Sequence, residues 1–160
     1  MAKDLHLVGF RVGRETFGVP IHLVHEIVRV PEITAVPEAP EYIEGVINLR
    51  GKIVSVLDLR KRFGEKEIAS DRKNRVIVVE MDKKLVGLIV DAASEVLKVP
   101  EAEIENPPNV FEEGDLNYVT GVGKLKGRLI ILIDLTKVLQ RGELKRIGAL
   151  AEAADAAGVA

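Results

Sequence analysis

Three groupings in this sequence hold side chains at spacings that chemistry uses. In HLVHE, His22, His25 and Glu26 offer two imidazoles and a carboxylate, a set that could hold zinc. The histidines are three apart and the order is not H-E-x-x-H, so they read as surface histidines and no metal site is expected. Asp58 and Asp134 are the carboxylates a small hydrolase would use, with His25 as a base. Each follows an apolar run and precedes a helical stretch, LRKRF or LTKVL, where a carboxylate that accepts backbone N–H bonds is a helix N-cap. Neither has a histidine, serine or lysine placed consistently beside it, so capping is the reading adopted. Gly121-Val122-Gly123-Lys124 resembles part of a phosphate loop. Tyr118 stands where the pattern needs its first glycine and Leu125 where it needs Ser or Thr. No catalytic, cofactor or metal residue is therefore expected.

What remains is a charge pair and some glycines. Glu26 interrupts an apolar strand, VHEIV, and Arg50 sits beside Gly51 between two apolar runs. An arginine fork on a carboxylate can orient a surface for a partner. Gly51 and Gly127 read as turn residues with positive φ, and Gly45 and Gly121 as sites where a Cβ would crowd a strand or bulge.

These residues need elements to position them, and the chain supplies the same elements twice. Tyr42–Phe63 matches Tyr118–Leu139 at an offset of 118 − 42 = 76, with eight of 22 positions identical. Leu7–Pro31 matches Val76–Pro100 at an offset of 76 − 7 = 69, aligning Gly18 with Gly87 and Glu26 with Glu95. The difference, 76 − 69 = 7, places an insertion between Pro100 and Tyr118. Each unit has mostly period-two patterning. It reads as a hairpin (Leu5–Val12 with Glu15–Ile21; Arg75–Met81 with Lys84–Val90), a helical turn at His22–His25 or Asp91–Ser94, and a strand ending at proline. A second hairpin follows (Gly45–Leu49 with Lys52–Leu57; Gly121–Leu125 with Arg128–Ile133), then a short helix from Asp58 or Asp134. The expectation is a mainly β fold of two small barrels: a first at about 5–63, a charged linker at 64–74, and a second with a C-terminal helix at about 75–150. Residues 151–160 read as a flexible alanine-rich tail. Units this small should pack on each other.

Composition narrows the function classes. With 23 basic against 25 acidic residues, the net charge of −2 argues against a general grip on nucleic acid or an anionic bilayer. The absence of cysteine removes disulfides and thiol nucleophiles and fits a reducing cytoplasm. No apolar run reaches the length of a membrane span, and the start does not read as a signal peptide. Aromatic residues at 4% leave few stacking platforms for bases or sugars. The surplus of Val, Ile and Leu is then best explained by protein contact.

GVINLRGKIVSVLDLRKRF (Gly45–Phe63) resembles the signature of the bacterial chemotaxis coupling proteins, the CheW family. FGVPIHLVHEIVRV (Phe17–Val30), GLIVDAASEVL (Gly87–Leu97) and LIILIDLTKVL (Leu129–Leu139) match that family in order and spacing, so the likeness covers about 5–141. The resemblance implies two pseudo-symmetric, five-stranded SH3-like barrels with short flanking helices, forming a single domain over 1–150. It implies a non-catalytic adaptor without cofactors, cytoplasmic and recruited to chemoreceptor arrays. Such an adaptor couples the cytoplasmic tip of methyl-accepting receptors, bound in the groove between barrels, to the regulatory domain of the chemotaxis histidine kinase, bound mainly by the first barrel. Carried onto this chain, the protein-binding residues are Arg50 in N-L-R-G, Glu26 in V-x-E-I, Val24 and Ile27 flanking that acid, and Gly45. Ser55 departs from the family's usual proline, a residue that marks a strand edge or bulge. The alternatives are a β-barrel interaction protein outside chemotaxis and a small hydrolase. The hydrolase would need a pocket joining Asp58, Asp134 and His25.

Overall fold

The computed structural model describes residues 3–37, 39, 43–65, 68, 70–81, 83–106 and 118–139. Tyr42, Asp82, residues 107–117 in the stretch expected to hold the insertion, and everything from 140 onward, including the helix extension to Leu150 and the tail, lie outside the described residues. So do the side chains of Ser94 and Glu95.

The elements in chain order are β1 (Asp4–Val12), β2 (Glu15–Pro20), a 3-10 turn (Ile21–Leu23), β3 (Val24–Arg29), β4 (Ile43–Leu49), β5 (Lys52–Asp58) and α1 (Leu59–Arg62). Then come β6 (Arg75–Met81), β7 (Lys84–Val90), β8 (Ala92–Pro100), a 3-10 turn (Glu101–Glu103), β9 (Ile104–Glu105), β10 (Val119–Leu125), β11 (Arg128–Ile133) and α2 (Leu135–Val138). The hairpin turns follow from local chemistry. Arg50 and Gly51 have φ of 50° and 88°, and Lys126 and Gly127 of 51° and 78°. Two successive positive φ values make the turn whose twist matches that of its strands. Two local expectations are corrected. The helical turn expected at His22–His25 is a 3-10 turn at Ile21–Leu23, with Val24 and His25 already in β3. Asp91–Ser94 form no helical turn, because the Asp91 N–H donates to the Arg11 carbonyl (3.0 Å) and β8 begins at Ala92 along β1. A single residue between β7 and β8 is too short for a hairpin, so the chain runs straight on into a different sheet.

That continuation decides the architecture. One sheet has the order β8-β1-β2-β11-β10-β9 and the other β3-β6-β7-β5-β4. The second is built from the continuous stretch 24–90, and the first from 4–20 joined by 92–133. The expected division into 5–63 and 75–150 is therefore corrected: each sheet combines the first hairpin of one repeat with the strand and second hairpin of the other. The repeat itself reappears in the pairing. Offsets of 69 and 76 carry the parallel pair Ser55↔Val86 onto Ile131↔Phe17, and Val28↔Val76 onto Leu97↔Leu7. Ser55 is fully buried in β5 between β4 and β7, so this position marks no sheet edge.

Alternation along each strand feeds separate cores. On β6, Ile77, Val79 and Met81 enter a large cluster between the sheets, with Val8, Phe10 and Val12 of β1 and Leu135 and Val138 of α2. Val76 and Val78 point the other way, into a cluster with Ile47, Val54 and Val56. The other sheet has its own second cluster of Leu7, Leu97, Val99, Ile130 and Leu132. Strands buried on both faces explain the unbroken VIVV and IILI runs.

The sheets also meet through charge. Asp58 caps α1 by accepting the Arg60 N–H (2.9 Å), and Asp134 caps α2 by accepting the Thr136 N–H (2.9 Å). Arg60 then folds back: Nε and Nη2 each donate to Asp58 at 2.9 Å, while Nη1 donates to Asp91 (3.2 Å) and Asn74 (3.4 Å). Asp91 Oδ2 accepts the Gly13 N–H (2.7 Å) from the β1–β2 turn, and Asn74 Nδ2 donates to the Asp91 carbonyl (3.2 Å). The bonds to Asp58, and after them the opposing effect of burial, set the Arg60 guanidinium's proton affinity; the net result lies above its ordinary range. Arg60 thus stays charged at any working pH, and substitution is the way to probe it. Removing one partner of a buried pair costs about 3–5 kcal/mol, and losing an exposed cap about 0.5–2 kcal/mol. Urea unfolding of Arg60→Met should accordingly show a clearly larger loss than Asp134→Ala. Equal losses would mean that Arg60 does not hold the sheets together.

Candidate protein-docking site

In the β3-β6-β7-β5-β4 sheet, β3 and β4 are the two edges. Glu26 lies on β3 and Arg50 on the turn after β4, so they start from opposite borders. The structure brings them together: Arg50 Nη2 donates to Glu26 Oε1. The arginine side chain is 74% exposed and the glutamate 19%, so the carboxylate is held from below and the fork is presented to solvent. Of five guanidinium N–H donors, this bond takes one.

Two local irregularities make the meeting possible. The β3–β6 register shifts between Val24, opposite Val79, and Glu26, opposite Val78. Cross-strand partners share a face, so Val24 joins the core between the sheets with Val79, and the bulge at His25 turns Glu26 to the other face. Without it, residues two apart would share a face and Glu26 would point into that core. The same shift recurs at the matched place in β8, between Ala93 and Glu95. The second irregularity is Gly45. Thr34 and Val46 exchange two backbone hydrogen bonds of 2.9 Å, drawing the segment after β3 onto β4. Gly45 has φ of 152°, and a Cβ there would overlap the Thr34 carbonyl oxygen. At the opposite end of β4, Lys61 on α1 donates to Glu44.

The residues singled out from sequence thus fall into distinct places. Glu26, Ile27 and Arg50 reach the surface, with Ile27 on the opposite face of β3 from Glu26. Val24 is partly buried against the core, and Gly45 is buried. Gly51 and Gly127 occupy turn tips where a Cβ would meet nothing within 4 Å. Both oxygens of Asp58 are engaged by Arg60, Asp134 lies in the other sheet's half, and His25 is exposed on β3, so no pocket joins them. Among the described residues no group of three or more His, Asp and Glu is placed to hold a metal. In the other sheet the matched positions differ. Lys126 replaces Arg50, and Val96 and Leu129, counterparts of Ile27 and Ile53, are 61% and 56% exposed. The two faces are chemically unequal.

Arg60 and Asp91 were not found from sequence. Their signal was available as paired divergence, because the other copy has Thr136 and His22 at the matched positions. An aromatic row was also missed: Phe10, Phe17, Phe63 and Tyr118 are in successive contact, with centroids 5.8, 4.9 and 5.1 Å apart. Burial there pushes the Tyr118 hydroxyl's pKa up.

The chain matches the family described as the CheW-like domain over residues 6–143. It is 34% identical over 143 residues to the chemotaxis protein CheW of Klebsiella aerogenes, covering 89% of this chain and 86% of that one. To the chemotaxis protein CheW of Rhizobium meliloti it is 36% identical over 137 residues, covering 86% and 88%. The crystal structure of the scaffolding protein TtCheW from Thermoanaerobacter tengcongensis aligns with a TM-score of 0.77 at 41% identity, over 88% of this chain and 90% of that one.

Stability should separate the exposed residues of the site from the residues that build it. Gly45→Ala combines overpacking with a strained backbone and should lose at least about 1–3 kcal/mol. Arg50→Ala, at an exposed pair, should lose only about 0–1 kcal/mol. Denaturation midpoints check both, and a Gly45→Ala protein as stable as the parent would contradict the role given to Thr34.

Proposed function

The chain belongs to the CheW-like domain family and is a non-catalytic chemotaxis coupling protein linking receptors to a histidine kinase; from that premise we propose which surface does the coupling. The kinase regulatory domain docks on the edge formed by Glu26, Ile27 and Arg50. The cytoplasmic tip of methyl-accepting receptors takes the groove between the two sheet units. The observation that carries this reading is the Arg50–Glu26 pair, which is exposed on one side and bonded on the other. A partner that encloses the pair strengthens its hydrogen bonds by removing water. Val24 and Gly45 act from beneath, by seating β3 and β4 where the pair can form. We read each sheet as a small closed barrel, supported in the 24–90 unit by the Thr34–Val46 bridge and by a charge pair between opposite edges. Among the described residues no helix is long and apolar enough to cross a membrane. We assign the protein to the cytoplasm, where receptor tips and kinase would recruit it to membrane-associated arrays.

Calorimetric titration of Arg50→Ala and Arg50→Lys against a kinase regulatory domain and a receptor tip fragment tests the assignment. Truncating an enclosed, hydrogen-bonded charge costs about 2–5 kcal/mol of binding, and lysine keeps the charge but loses the fork. Arg50→Ala should lose kinase affinity on that scale while melting like the parent. Binding of both partners within about 0.5 kcal/mol of the parent, far below that cost, would leave Arg50 a solvated turn residue.

A further inference from the structure

We propose that the cleft where the end of β3 meets the start of β6 is a binding site for a phosphate-class polyanion, such as a polyphosphate or the phosphate chain of a nucleotide, held by Arg29, Arg72, Lys73 and Arg75. This inference does not depend on the coupling role. The cleft has a volume of about 480 Å³, within the range of small-ligand sites. Its walls carry those four cations, one carboxylate, Asp71, and a single apolar side chain, Val30.

Arg29 and Arg75 are directly opposite each other in the β3–β6 register. Like charges directly opposite across strands destabilise a sheet, and an anion between them reverses the sign of that interaction. No described carboxylate pairs with Arg29, Arg72, Lys73 or Arg75. Asp71 Oδ1 is already occupied by the Lys73 backbone N–H (3.0 Å). Arg75 Nη1 donates to the carbonyls of Arg72 (2.6 Å) and Asn74 (2.8 Å). Those bonds fix the guanidinium plane and leave Nη2 and Nε for a ligand.

The turn that carries Arg72 and Lys73 is also pre-organised. Asn74 is buried, and its side chain accepts the Asp71 N–H (3.0 Å) while donating to the Asp91 carbonyl (3.2 Å). The turn is thereby anchored to the Arg60 network, so little ordering is needed when an anion arrives. With Val30 as its single apolar side chain and no aromatic one, the lining favours a small polyanion over an acidic protein segment, since protein docking relies on buried aromatic or aliphatic anchors.

The test is a calorimetric titration of sodium tripolyphosphate into the full chain at about 50 and about 200 mM salt, with melting temperatures recorded in parallel. The parent should bind saturably, lose affinity steeply with salt, and melt higher when tripolyphosphate is present. Arg29→Gln/Arg72→Gln should weaken binding about tenfold or more, and Lys126→Gln/Arg128→Gln on the other sheet's turn should not. If the first double variant melts abnormally without ligand, Lys73→Gln alone supplies the comparison. Lack of saturable binding, or equal weakening by both double variants, overturns the proposal. So does binding of a polyglutamate peptide without binding of tripolyphosphate, which would make the cleft a protein-docking patch.

Discussion

A buried arginine holds this molecule together. Arg60 is 7% exposed, and a guanidinium taken out of water is tolerated only when nearly every donor is used. Its partners come from four parts of the chain: Asp58 at the end of β5, Asn74 before β6, Asp91 between β7 and β8, and through Asp91 the Gly13 turn of β1–β2. β5, β6 and β7 belong to one sheet, and β1, β2 and β8 to the other. Apolar burial between the sheets is larger in area but has no direction. The arginine fork adds a fixed geometry, because planar bidentate pairing accepts few arrangements.

The network exists on one side only. The matched positions in the other copy are Thr136, which bonds its hydroxyl to Asp134 (2.6 Å), and His22, which is exposed. The duplicated fold therefore carries a polar clamp at one junction and a plain helix cap at the other. The same asymmetry runs outward to the surface. One turn tip holds Arg50 bonded to Glu26, and the other holds Lys126 beside exposed Val96 and Leu129. An adaptor that must hold two different partners requires unequal faces, and divergence between two copies of one unit is an economical source of them.

Edge management connects stability to docking. An exposed strand edge invites uncontrolled pairing, and β3 carries a bulge, alternating burial and the charges of Glu26 and Arg29 instead of a flat apolar border. The bulge that interrupts pairing also aims Glu26 at Arg50. One irregularity thus protects the edge and positions the Arg50–Glu26 pair. Farther along the same strand, Arg29 borders the cationic cleft, whose turn is tied through Asn74 to Arg60.

Much of this was legible in the sequence. Period-two alternation and glycine turns set nine of the strands close to their observed limits, because strand pleat and positive φ are local requirements, while β8 begins three residues before its expected start. The two-residue β9 was not foreseen, since so short a strand leaves no alternation to read. The duplication was legible too, and with the family motifs it pointed to Glu26 and Arg50. What sequence could not supply was the phase of the repeat. In a tandem duplication, a unit that begins with the first hairpin and a unit that begins one hairpin later have the same period. Only the one-residue link at Asp91 and the parallel pairs β5–β7 and β2–β11 select the second division. The Arg60 network was hidden for the same reason. Arg60 and Asp91 are 31 residues apart in different repeats, and they become neighbours because β5 and β7 pair in parallel with Asp58 opposite Ile89. Local chemistry determined the strands, turns and caps; long-range pairing decided which of them share a sheet, and with that where charge could be buried.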